Sequence, residues 1–173
     1  MLFRSAGARP GHDGLNATAF PSGVMTMPVE ATEHAGPVII WRKELRPDSG
    51  GAGEHRGGLG QFMEVGAREG HEFDFSAMFD RVDHPARGRH GAADGAATEV
   101  RLSTGEKMRG KGKFRVEEGT RVMLAFPGGG GYGNPQKRDR KAVLNDLRLG
   151  YIWPERAEAD YGLSPSEIAE ALR

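Results

Sequence analysis

The chain has 173 residues, and its 24 Lys and Arg balance 24 Asp and Glu, so the formal net charge is zero. That length suits one domain, or one domain with a small appendage, and is enough to bury a real core. The charge balance withholds the basic excess of a nucleic-acid binder, the absence of cysteine removes disulfides and thiolate metal sites, and no apolar run reaches the ~20 residues that span a bilayer. The start, MLFRSAGARP, has no apolar signal-peptide core, so a cytoplasmic protein without a membrane or nucleic-acid partner is expected.

Residues 1–27 read as an irregular opening segment, with scattered apolar residues among Gly, Asn, Ser and Pro. Residues 28–135 read as a β-rich domain. Within it, PVIIWRKEL at 37–45 and QFMEVGAR at 61–68 are strand-like on either side of a glycine-rich stretch. HEFDFSAMFD at 71–80 alternates, with Phe73, Phe75, Ala77 and Phe79 on one face and Glu72, Asp74 and Ser76 on the other. That period of two predicts a half-buried antiparallel strand. A polar loop follows at 81–96. Alternation returns around Val100 and Leu102, with a turn at Thr104-Gly105, and again at Val122, Leu124 and Phe126.

The period then changes. Val143, Leu144 and Leu147 sit at helical spacing between a capping Asp139 and Gly150. Pro154 and Gly162 bracket a second helix, and Ser164 with Glu167 forms a capping box for a third, with Pro165 at its first position. Residues 136–173 are thus a helical appendage. The expected class is α+β and mainly β: an antiparallel body of five to seven strands followed by two or three short helices.

Two glycine stretches stand out among 27 glycines. RPDSGGAGEHRGGLG at 46–60 holds Gly50, Gly51, Gly53, Gly57, Gly58 and Gly60 among Arg46, Asp48, Glu54 and Arg56. PGGGGYGNP at 127–135 holds Gly128, Gly129, Gly130, Gly131 and Gly133. Gly128, Gly130 and Gly133 satisfy G-x-G-x-x-G, but a dinucleotide fingerprint also needs a helix at the glycines and a following parallel strand. Asn134-Pro135 opposes that helix, and no strand follows. A backbone crossing, or a close approach between subunits, where only glycine fits, is the better reading. The single RGG at 56–58 lacks the repetition of RNA-binding segments.

Asp80, Asp83 and His84 crowd one loop and are weak metal candidates, as are His12 and Asp13, but an exposed charged loop would look the same. Glu30 and Glu33 could share a face, yet Pro28 and Pro37 bracket them closely enough to argue against a full helix. Ser49 before two glycines is a nucleophile candidate or, more commonly, a turn serine bonded to nearby backbone. No nucleophile elbow or triad order is present.

Three segments in order, NATAFPSGVMTMPVEATE, RPDSGGAGEHRGGLG and PGGGGYGNPQKRDRKAVLNDLRLGYIWPERAEADYG, resemble the C-terminal part of the B subunit of the ATP-dependent hydantoinase/oxoprolinase family. That family includes subunits of acetone and acetophenone carboxylases. The resemblance covers residues 8–163. It implies a hydantoinase A-type partner subunit that uses ATP to phosphorylate an amide or carbonyl oxygen, after which the B subunit completes hydrolysis of a cyclic amide such as a hydantoin or oxoproline. ATP on the partner and a divalent metal are implied for the whole complex, which is a homo- or hetero-oligomer, and no cofactor is assigned to this chain. Family B subunits are several times longer, and their metal and catalytic segments lie mostly upstream. The chain is therefore expected to be a fragment, inactive alone.

A ketone carboxylase subunit and a non-catalytic assembly module are the alternatives. If any residue here reaches the chemistry, Arg46, Asp48 and Arg56 are the candidates. Internal pairing of these charges is the weightier reading, so Arg56→Ala should destabilise more than Arg89→Ala.

Overall fold

The computed structural model describes residues 5–18 and 27–173. The remainder of the opening segment lies outside the described residues. A helix α1 (Val29–Ala35) precedes six strands, β1 (Val38–Leu45), β2 (Gln61–Ala67), β3 (Phe73–Met78), β4 (Glu99–Leu102), β5 (Lys111–Val116) and β6 (Arg121–Ala125). A 3-10 turn (Pro135–Lys137) then leads into α2 (Arg140–Arg148), α3 (Pro154–Tyr161) and α4 (Pro165–Ala171). The class is α+β, with every strand pair antiparallel.

The strands form a sheet of order β1-β2-β6-β4 and a separate ribbon, β3-β5. Register sets Leu124 opposite both Met63 and Val100, so the apolar sets of three strands fall on one face. The ribbon brings Phe73, Phe75 and Phe114 against that face, over a core of Val100, Met108, Val116, Val122, Leu124 and Phe126. Phe79 meets Phe126 edge-on at 5.9 Å between centroids. Val116 and Val122 are fully enclosed, a gain of roughly 1.5–3 kcal/mol each. The turn at Thr104-Gly105 forms, with Gly105 at φ 92°, but its flanks part company. Before it β4 joins the sheet, whereas β5 pairs with β3.

One expectation is overturned. Residues around Glu30 and Glu33 form α1 despite the flanking prolines. Pro28 occupies the cap, where its missing N–H costs nothing, and seven residues make two turns before Gly36. Glu33 ties the helix to the sheet: its Oε1 accepts the Ile40 N–H at 2.8 Å, and its carbonyl accepts from Arg68.

The C-terminal helices carry the predicted ends. Asp139 accepts the Lys141 N–H at 2.8 Å, Gly162 is left-handed at φ 67°, and Ser164 with Glu167 closes a capping box. Their apolar faces share a second core built on Val143, Leu147, Ala157, Tyr161, Leu163 and Ile168, which also takes in Ala52 of the glycine-rich stretch. The helices are thereby seated on that stretch. Among the described residues no helix is long and apolar enough to cross a membrane.

Candidate functional site

The two glycine stretches meet. Residues 49–60 and 127–133 cross each other, and segments 6–15 and 86–96 thread between them, joined by backbone hydrogen bonds in place of side-chain packing. Gly51 N–H donates to Gly129 O at 2.9 Å, Gly129 N–H to Gly58 O at 2.9 Å, and Gly58 N–H to Ala6 O at 2.9 Å. Gly131 N–H donates to Ala93 O at 3.1 Å, and Ala93 N–H to Ala52 O at 2.7 Å. Four chain segments in van der Waals contact leave no room for Cβ atoms. One built on Gly128 would stand 1.6 Å from Ser49 O, and one on Gly57 would stand 2.0 Å from Gly129 O. Gly50, Gly51, Gly58, Gly60, Gly129 and Gly130 are likewise within 2.2 Å of a foreign carbonyl oxygen, and Gly53 and Gly131 within 2.8 Å. Gly133 differs, since φ 77° itself favours glycine there. A phosphate cradle needs open space above the glycines. Here that space is filled by main chain, and Pro135 begins only a three-residue 3-10 turn, capped by Asn134.

A buried ion cluster pins the crossing to the helices. Arg56 is 4% exposed. Its Nε donates to Asp146 Oδ2 at 3.2 Å, its Nη1 donates to Gly57 O at 2.7 Å, and its guanidinium lies 5.2 Å from the Tyr151 ring centroid. Arg138 grips Asp13 with two bonds of 2.7 Å and Asp146 with a third of 2.8 Å. Asp13 also accepts the Arg56 N–H at 2.7 Å. Two Arg and two Asp thus form a closed, neutral quartet linking the opening segment, the first glycine stretch and α2. Burial alone would raise the Asp13 carboxyl, but the hydrogen bond and charge of Arg138, aided by Arg56, hold it below its ordinary 3.8. Burial also works against the charge of Arg138, and its two carboxylate partners more than offset that, so its pKa is raised.

A carboxyl lowered in the folded state contributes fully above its unfolded value, and the contribution drains away as pH falls through the lowered folded value. Thermal melts from neutral pH downward should therefore show a steeper acid loss of Tm in wild type than in Asp13→Asn. Parallel curves would contradict the role given to Asp13.

The other candidates are occupied too. Arg46 sends Nη1 to Ala97 O at 2.7 Å and Nη2 to Glu99 at 3.0 Å. Asp48, in left-handed backbone at φ 55°, accepts the Trp153 N–H at 3.0 Å and so holds the start of α3; burial raises its pKa. Ser49 is 1% exposed, donates to Arg46 O and accepts from Gly60 N–H at 2.9 Å. Asp80 and Lys111 are 4.0 Å apart, and Asp80, Asp83 and His84 stay on their loop. Among the described residues no group of three or more His, Asp or Glu is placed to hold a metal. A polar hollow of about 350 Å³ opens beside the quartet, between Asp13, Glu54, His55, Lys137 and Arg138.

Arg138 and Asp146 were not singled out from the sequence. The signal for Asp146 was present: it shares the buried face of α2 with Val143 and Leu147, and a carboxylate there demands a cation.

This is a mixed α+β region whose buried polar groups hold backbone segments together. The chain belongs to the hydantoinase B/oxoprolinase family, which matches residues 1–135. It is similar to the caprolactamase subunit beta of Pseudomonas jessenii, 33% identical across 94% of this chain and 30% of that protein. The crystal structure of ATP-dependent caprolactamase from Pseudomonas jessenii superposes with a TM-score of 0.80 at 28% identity, over 95% of this chain and 31% of that one. A nucleotide-free acetone carboxylase structure superposes at 0.69 with 19% identity, over 97% of this chain and 29% of that one, a likeness of fold alone. The chain spans about 30% of the length of the hydantoinase and caprolactamase subunits it matches.

Proposed function

We propose that this chain is the supporting, C-terminal portion of a hydantoinase B/oxoprolinase-type subunit. The whole subunit then hydrolyses a cyclic amide after ATP-dependent activation of the amide oxygen by a partner A-type subunit. An amide is a poor electrophile, and phosphorylating its oxygen creates a leaving group that water can displace. The observation that carries the reading is the match to caprolactamase over 95% of the chain at a TM-score of 0.80, a protein named for ATP-dependent action on a cyclic amide. In this reading Arg46, Asp48 and Arg56 act as supports: each is already paired internally.

The ATP and divalent metal implied for the family complex do not fit the donor sets of the described residues. The glycines face main chain instead of an open cradle, and no three-ligand donor set is assembled among the described residues. Those groups belong, in this reading, to other polypeptide of the complex.

The test is co-expression with an A-type subunit and the remaining B-type polypeptide, assayed for ATP-dependent loss of caprolactam, hydantoin or oxoproline. Loss of one of these is the expected result. Bicarbonate-dependent consumption of a ketone would move the assignment to the carboxylase branch, and no ATP-linked turnover at all would leave an assembly module.

A further inference from the structure

His55 joins three segments of the crossing. Its main chain is fixed by a reciprocal pair: His55 N–H donates to Tyr132 O, and Tyr132 N–H to His55 O, each at 2.9 Å. That pairing sets the imidazole alongside the Tyr132 ring, 6.5 Å between centroids. From there its Nε2 accepts the Gly11 N–H at 3.0 Å, across 44 positions of sequence.

Gly11 belongs to a tight turn, Arg9-Pro10-Gly11-His12, closed by reciprocal bonds of 3.1 and 3.0 Å between Arg9 and His12. Proline followed by a glycine at φ 77° is the chemistry of a type II turn. The closing bond uses the His12 N–H, so the Gly11 N–H needs a partner elsewhere. On either side the segment is anchored, by Ala8 N–H to Gly130 O at 2.9 Å and Gly14 N–H to Arg56 O at 2.7 Å. Residues 9–13 between these anchors are exposed, and the imidazole fastens the tip of the turn to the body.

We propose that His55 is a pH-sensitive latch: neutral, it holds turn 9–12 closed against the glycine crossing, and protonated, it releases the turn. An imidazole nitrogen accepts a hydrogen bond only while it carries no proton, so the bond to Gly11 needs the neutral ring with its proton on Nδ1. In the imidazolium both nitrogens are donors, and Nε2–H would confront Gly11 N–H. Histidine is the side chain whose ordinary titration lies between about pH 5 and 8, so the latch closes toward the upper end of that range and opens toward the lower. Charged groups surround the ring from every neighbouring segment. Glu54 adjoins it, Arg9, His12 and Asp13 stand on the opening segment, and Lys137, Arg138 and Asp139 line the hollow from the helical side. His90 lies beyond Tyr132, 4.8 Å ring to ring. Despite burial, Arg138 and Arg56 hold the Asp13 carboxyl below 3.8, so Asp13 stays charged while the latch opens. Gly11 forms part of the wall of the hollow of about 350 Å³, and release of the turn widens it. The inference does not depend on the enzymatic reading above.

The test is hydrogen exchange at the Gly11 amide of the full chain, expressed as protection relative to an unstructured peptide, from about pH 8 down to about pH 5. Protection should fall about three- to tenfold, the factor that one ordinary hydrogen bond sustains. Gly14, bonded to Arg56 O, should keep its protection throughout. His55→Gln presents an amide oxygen in place of Nε2 and does not titrate, so Gly11 should stay protected at every pH. His55→Ala should leave Gly11 unprotected at every pH. His12→Gln removes the turn's own histidine and should preserve the wild-type fall. Gly11 protection independent of pH in wild type would overturn the proposal. So would a fall that survives His55→Gln or disappears in His12→Gln.

Discussion

Gly128→Ala is expected to yield no stably folded protein. Its Cβ would stand 1.6 Å from the Ser49 carbonyl oxygen and 2.8 Å from Gly50 N. Both neighbours are main chain inside a hydrogen-bonded crossing, so neither can turn aside as a side-chain tip would. Relief requires separating residues 49–50 from 127–129, which breaks the bonds that Gly51, Gly58 and Gly129 make across the same junction. Against a total stability of about 5–15 kcal/mol, a loss beyond about 5 kcal/mol is expected, outside the ordinary range for one substitution. Gly36→Ala supplies the contrast. Nothing lies within 4 Å of its Cβ position, and its backbone is extended at φ −158°. Alanine there should be neutral, or stabilising by about 0.4–1 kcal/mol through the unfolded chain. In urea melts Gly36→Ala should unfold near the wild-type midpoint and Gly128→Ala should show no cooperative transition; equal midpoints would refute the crowding argument.

The second large effect belongs to the ion quartet. Arg56→Ala strips Asp146 of one of its two cations, removes the donor to Gly57 O and empties the space beside Tyr151. Removing one partner of a buried pair costs about 3–5 kcal/mol when the charge left behind has no other partner; Asp146 keeps Arg138 at 2.8 Å, so the loss should fall at the lower end, about 3 kcal/mol. Arg89 contributes backbone bonds to Gly131 and Gly133, which alanine preserves, so Arg89→Ala should stay within about 0.5 kcal/mol of wild type. A double-mutant cycle with Asp146→Ala should return a coupling of about 1 kcal/mol or more. Equal denaturation midpoints for Arg56→Ala and Arg89→Ala would remove the structural role of the quartet.

Much of this architecture was legible because its determinants are local. The period-two pattern at Phe73, Phe75 and Ala77, the inward set Val122, Leu124 and Phe126, and the caps at Asp139, Gly162 and Ser164 are each decided within a few residues. The helix at Glu30 and Glu33 was misjudged because a proline at a cap and a proline in a helix interior look alike until the boundary is known. The parting of β4 from β5 was illegible for another reason: the partner of β5 lies some forty residues back in β3, and only the register of the folded sheet discloses it. At the site, glycine density pointed to close main-chain approach, but not to which segments approach. Arg138 and Asp13 stand 125 positions apart, and no spacing rule joins them. Asp146 could have been found as a lone carboxylate in the apolar stripe of α2.

Hydrogen exchange at the glycine amides tests most directly whether these stretches are solid interior and not a ligand loop. The N–H groups of Gly51, Gly58, Gly129 and Gly131 are bonded to carbonyls of other segments. They should exchange only when the entire molecule unfolds, with the same free energy that denaturant melts return. Exchange at the speed of an open loop, slowed on adding a nucleotide, would contradict the account.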